Sequence, residues 1–147
     1  MTWKELLEQQ RVERRAATKK ELQELRSVAR RSLADARLEG LSIDGKYGHA
    51  YEAARALATM VVRSAGYRVR AHGGGHYNTF LALEAADSKL FARQAAYFDT
   101  CRVKRNEFSY ESAGVVSEME TQELLREVRE FESITEVWIR DRHPGMA

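Results

Sequence analysis

The densest run of chemically capable side chains is Arg102-Val103-Lys104-Arg105-Asn106-Glu107-Phe108-Ser109-Tyr110-Glu111. Three cations fall within four residues, at the end of a long helical pattern. Cations at a helix C-terminus complement its dipole, an effect worth roughly a few tenths of a kcal/mol. That role accounts for the charges but does not call for the amide and the phenol beside them. Arg102, Lys104, Arg105, Asn106 and Tyr110 together supply groups that can grip a phosphate and stack on a base. A purely structural helix end remains the competing reading of the same residues.

A second candidate is the stretch Arg70-Ala71-His72-Gly73-Gly74-Gly75-His76, the one Gly-rich segment of the chain. It reads as a loop leading into a helix. Backbone amides in such a place can bind an anion, which makes Gly74, Gly75 and His76 candidate phosphate contacts. His72 and His76 stand four apart, a metal spacing only if one helix carried both, and the glycines between them argue against that. His49, near the start of a helix, reads as a half-exposed structural histidine. Cys101 reads as a small buried hydrophobe. A phosphate-binding G-x-x-x-x-G-K-[ST] loop, H-E-x-x-H, G-x-S-x-G and paired E-x-x-H segments are all missing from the sequence. No cofactor and no metal is implied.

These groups must be positioned by helices. The chain has 147 residues, enough for one domain, with 20 Ala and 13 Leu against 20 Val, Ile and Thr combined. Such a balance favours helix over sandwich or barrel. No run approaches membrane-spanning length, and the first residues lack a signal-peptide core, so no membrane partner is expected. A single cysteine excludes an internal disulfide and points to a cytoplasmic setting. The net formal charge is only +2, but it is unevenly spread. Residues 11–37 carry a net of +5 and residues 107–136 a net of −7. The two faces either attract each other in the fold or offer a basic surface to an anionic partner. A mean hydropathy of −0.55 suggests that some of the chain is an exposed, charged helix.

Apolar residues recur at helical spacing in four segments. Leu22, Leu25, Ala29, Leu33 and Ala36 mark the first, with Thr18 and Glu21 as a capping box and Gly40 as its stop. Tyr47, Ala50, Tyr51, Ala54, Leu57, Ala58 and Val61 mark the second, with Asp44 as N-cap, Gly66 as stop and enough alanine to be central. Phe80 through Cys101 trace a third, capped by Asn78 or Thr79. Val116, Leu124, Val128, Phe131, Ile134 and Trp138 line a fourth, opened by Ser117 and Glu120. The expectation is an all-α protein: an antiparallel four-helix up-down bundle over residues 18–141. Residues 1–17 add an N-terminal helical extension, and residues 142–147 form a tail.

Four features in order carry a resemblance. They are the four-helix sequence itself, the segment Asp44-Gly45-Lys46-Tyr47-Gly48-His49-Ala50-Tyr51-Glu52-Ala53-Ala54-Arg55-Ala56-Leu57-Ala58, the Gly-His loop at 73–76, and Arg105-Asn106 with Tyr110. Together they resemble the HEPN domains of prokaryotes, over roughly residues 18–140. The resemblance implies a helical bundle that often forms homodimers and works in RNA-directed systems. Some members are ribonuclease toxins paired with a small nucleotidyltransferase antitoxin, and others are non-catalytic companions. The ribonuclease members carry Arg followed four to six residues later by His. Here Arg105 and Asn106 are present, but Tyr110 stands five residues on, where His would sit. A phenol with a pKa of about 10 is a poor general base at neutral pH.

The expected function is therefore HEPN-like binding of RNA or a nucleotide, weakly catalytic or non-catalytic, within a toxin-antitoxin-type pair. One alternative is a metal-independent ribonuclease toxin whose catalytic residues are Arg105 and Tyr110, or Arg105 with His49, His72 or His76 brought in by the fold. Another is a helical protein–protein interaction module that binds no nucleic acid. Expected partners are RNA or a nucleotide, a nucleotidyltransferase and a second copy of the chain.

Overall fold

The computed structural model describes residues 1–71, 74–110 and 114–147, with the backbone alone described at 108–110. The chain is all-α apart from one two-stranded sheet. Its elements are α1 (Trp3–Glu8), β1 (Val12–Arg14), α2 (Lys19–Asp35), α3 (Ile43–Ser64), β2 (Tyr67–Val69), α4 (Gly75–Ala86), α5 (Ser88–Tyr110) and α6 (Glu118–Arg142). A short 3-10 turn (Pro144–Met146) follows.

The bundle is built around α3, which packs against α2, α4, α5 and α6. Its Ala50, Ala53, Ala54 and Ala58 are fully buried, and these small side chains let neighbouring backbones come close. Phe91, Phe98 and Phe131 fill the space between α5 and α6, with Trp138 edge-on to Phe91. The pairs α2/α3 and α5/α6 run antiparallel. Glu21 at the start of α2 meets Arg63 at the end of α3, and α5 and α6 are paired in reverse order through Arg93–Glu127 and Lys104–Glu120.

The end signals follow the sequence in several places. Thr18 caps α2, accepting from the Glu21 amide, and Ser117 with Glu120 forms a reciprocal capping box on α6. Gly66, at φ +90°, turns the chain out of α3. Other expectations need correction. Ser42, not Asp44, is the N-cap of α3, while an Asp44 carboxylate oxygen accepts from the Gly114 amide at 3.0 Å. Asn78 and Thr79 lie inside α4, buried, and Gly74 is its N-cap.

The third expected helix is two. Asp87 leaves the helical region at φ −162° and separates α4 from α5. Its carboxylate accepts from the Leu90 amide, as an N-cap does, and also from the Trp138 indole N–H at 3.2 Å. The bend follows because one carboxylate satisfies both a helix start and a buried indole.

Residues 1–17 form more than a helical extension. After α1, β1 pairs antiparallel with β2 in the register Val12↔Val69, Glu13↔Arg68, Arg14↔Tyr67. Leu6, Val12, Val62 and Ala82 make a second small core, and Trp3 stacks on Tyr67 with centroids 3.9 Å apart. Arg63 ties this arm down. Its guanidinium, 6% exposed, binds a Glu21 carboxylate at 2.6 Å and donates to the backbone carbonyls of Arg15, Ala16 and Tyr67.

Candidate functional site

The C-terminal half of α5 turns Arg102 and Arg105, one helical turn apart, toward α3 and α4. A guanidinium nitrogen of Arg105 lies 3.1 Å from Glu52 Oε1, and its plane sits over the Tyr51 ring, 5.4 Å from the centroid. The other carboxylate oxygen of Glu52 accepts two hydrogen bonds from Arg55, one turn further along α3. Glu52 thus bridges two guanidiniums. Arg102 donates to Asp99 at 2.7 Å and lies over the Tyr77 ring. From the N-terminal arm, Arg11 lies over the same Tyr77 ring and donates to Asn78 Oδ1 at 2.7 Å.

His76 enters from the first turn of α4. Gly74 adopts φ +93°, a left-handed conformation that suits glycine, and no side chain caps this helix start. His76 Nδ1 is 3.0 Å from the hydroxyl of Tyr51, which is fully buried. Nε2 has no hydrogen-bond partner among the described residues. Burial holds the imidazole below its ordinary pKa, Arg55, Arg105 and Arg102 push it the same way, and Glu52 opposes them. Burial raises the Tyr51 hydroxyl, so it stays protonated at neutral pH.

The Tyr51–His76 bond can run either way. When Tyr51 accepts from Nδ1–H, Nε2 is bare and can take a proton. When Tyr51 donates to Nδ1, the ring proton sits on Nε2 and can be donated to a phosphate oxygen. A neutral imidazole among several guanidiniums is equipped for both tasks.

Beyond His76 a groove of about 810 Å³ runs between α2 and α4, floored by α3. Leu25, Val28 and Val62 give it apolar surface, and Arg15, Arg68 and Glu24 stand along it.

The sequence-predicted residues divide. Arg102, Arg105 and His76 come together. Gly74 and Gly75 form the turn that delivers His76. Lys104 points instead to α6, where it pairs with Glu120 at 3.3 Å. Asn106 is exposed. The Tyr110 side chain lies outside the described residues, as do His72 and Gly73. His49 is half-buried on α3, and Cys101 is buried with its thiol pushed up by that burial. Sequence reasoning missed Arg11, Tyr51, Glu52, Arg55 and Tyr77 as site residues. Glu52 and Arg55 stand at i and i+3 beside the buried Tyr51, a signal that says they share a helix face but not what that face meets.

Among the described residues, no group of three or more His, Cys, Asp or Glu could hold a metal ion, and no helix is long and apolar enough to cross a membrane. Comparison with family models, curated proteins and solved structures found no match to this chain.

Proposed function

We propose that this protein binds RNA or a nucleotide through its phosphate, as a HEPN-like domain, at the face formed by α3, α4 and α5. The observation that carries the reading is the convergence of Arg55, Arg102 and Arg105 on His76, with Glu52 and Asp99 the carboxylates among them. Cations outnumber anions, and Arg105 and Arg55 share a single carboxylate. A phosphate oxygen arriving there would find unsatisfied N–H groups in the planar arrangement that suits it. Arg11, reaching Tyr77 from the arm, extends the cationic surface past Arg102.

Direct titration of short single-stranded RNA tests this. Wild-type binding should weaken steeply with salt, by a slope of roughly −2 for about three phosphate contacts. Salt-independent binding, or none, would overturn it.

His76 favours a second reading, metal-independent cleavage of RNA. With Nδ1–H donating to Tyr51, Nε2 can accept the proton of a ribose 2′-hydroxyl. The 2′-oxygen then bonds to phosphorus, the P–O5′ bond breaks, and the leaving oxygen takes a proton from water. Arg105 would stabilise the charge on the phosphorane oxygens. Cleavage in chelator that yields 2′,3′-cyclic phosphate ends and disappears in His76→Gln would support it. Cleavage unaffected by that substitution would exclude it.

A further inference from the structure

The groove beside His76 has a composition that the phosphate reading does not use. On its α2 wall, Glu21, Glu24, Leu25 and Val28 follow the i, i+3, i+4, i+7 row of one helix face. Glu21 is engaged by Arg63, which in turn holds the arm's carbonyls. Thr59 and Thr79 turn their hydroxyl protons back to Arg55 O and Gly75 O, in their own helices. Of the groove's charged side chains, Glu24, Arg15 and Arg68 therefore remain without an ion pair among the described residues, and all three are exposed. Leu25 and Val28 add apolar surface to the same groove, with Val28 37% exposed.

An apolar groove that also carries one free carboxylate and two free guanidiniums has the chemistry to hold a nucleobase. Among the four bases, guanine alone offers a carboxylate two adjacent donors, N1–H and N2–H, and a guanidinium two adjacent acceptors, O6 and N7. His76 sits on the lip of the groove and also belongs to the phosphate cluster. One ligand can then reach both. Resting on the phosphate-binding reading, we propose that the groove is a guanine subsite. Glu24 takes the base's imino and amino donors, Arg15 or Arg68 takes its O6/N7 edge, and the attached phosphate lies on Arg55, Arg105 and His76.

The test is calorimetric titration of the full chain with the 5′- and 3′-monophosphates of guanosine, adenosine, cytidine and uridine, and with inorganic phosphate. A guanosine nucleotide should bind roughly tenfold or more tighter than the other three. Glu24→Gln keeps the shape and helix propensity of an exposed, unpaired residue, so the fold is retained. It should reduce that preference to roughly threefold or less, with inorganic phosphate unaffected. Arg105→Ala should weaken all four nucleotides alike. Equal binding of the four bases, or a guanine preference that survives Glu24→Gln, would overturn the subsite while leaving phosphate binding intact. Failure of every nucleotide, of phosphate and of RNA to bind would overturn the phosphate reading and the subsite with it.

Discussion

Replacing Arg105 with alanine separates a binding role from a structural one. In the free protein the Arg105 guanidinium is 30% exposed and its partner Glu52 28% exposed, so their ion pair is partly screened. An ion pair of that exposure contributes about 0–1 kcal/mol to stability. For a domain of this size the melting temperature should fall by roughly 4 °C or less. Against a phosphate the same guanidinium makes charge-assisted hydrogen bonds, whose loss costs about 1.5–3 kcal/mol. Affinity for RNA should therefore drop roughly 10- to 150-fold. Removing Arg105 also frees Glu52 Oε1 to repel the phosphate, which places the expectation in the upper part of that range. The assay is fluorescence anisotropy with labelled single-stranded RNA at several salt concentrations, beside thermal melts of both proteins. The salt slope should become shallower by roughly 0.7 for the lost contact. Unchanged affinity and slope, or an affinity loss accompanied by a large fall in melting temperature, would refute the assignment. Arg105 would then be a structural cation of α5 braced by Glu52 and Tyr51.

Three further perturbations probe the same architecture. Glu52→Gln removes the carboxylate that bridges Arg55 and Arg105, so RNA affinity at low salt should rise roughly severalfold, and a fall would show that Glu52 organises the site. His76 titrates below its unfolded value of about 6.5, so on acidification the unfolded state takes up the proton first. Stability is thus retained above that pH and lost as pH falls through the folded pKa. A melting-temperature profile from pH 8 to pH 5, roughly spanning the histidine range, should be flatter in His76→Gln than in wild type, His143 being common to both. Because a phosphate favours the imidazolium, RNA affinity should rise over the same acid interval in wild type and not in His76→Gln. Arg63→Ala leaves three backbone carbonyls of the arm junction without a donor and should cost roughly 3 kcal/mol in urea unfolding. Limited proteolysis should then cut between α1 and α2, and an uncut arm would show that the β1–β2 pairing, its small core and the Trp3–Tyr67 stack hold it without Arg63.

Local chemistry made much of the scaffold readable. Helical apolar spacing located α2, α3 and α6, because each needs only a stripe of side chains in its own sequence. Ser117 with Glu120, Thr18, and Gly66 act on backbone groups within a few residues of themselves, so their roles are legible without a fold. The crowded alanines of α3 announced a central helix, since small residues have little reason to be massed except to admit neighbours. Arg102 and Arg105 stood out by type and spacing.

What stayed hidden depends on partners distant in the chain. The apolar pattern from Phe80 to Phe98 runs unbroken across Asp87, and the bend there exists because Trp138 of α6 brings an indole N–H to the same carboxylate. The arm reads as polar helix until β2 offers it an edge and Arg63 a clasp. Lys104 and Arg105 are neighbours in sequence, yet adjacent positions on a helix point about 100° apart. One therefore meets Glu120 and the other Glu52. His76 is set against Tyr51 and the arginines only when α4 is laid across α3 and α5. Sequence determined that this protein is a helical bundle with a cluster of cations on one helix, but it set that cluster at the helix end, whereas α5 continues to Tyr110 and its last turn carries no cation. Tertiary structure alone decided that Arg102 and Arg105 face an imidazole while Lys104 does not, because helix periodicity fixes which face a residue occupies and packing fixes what that face meets.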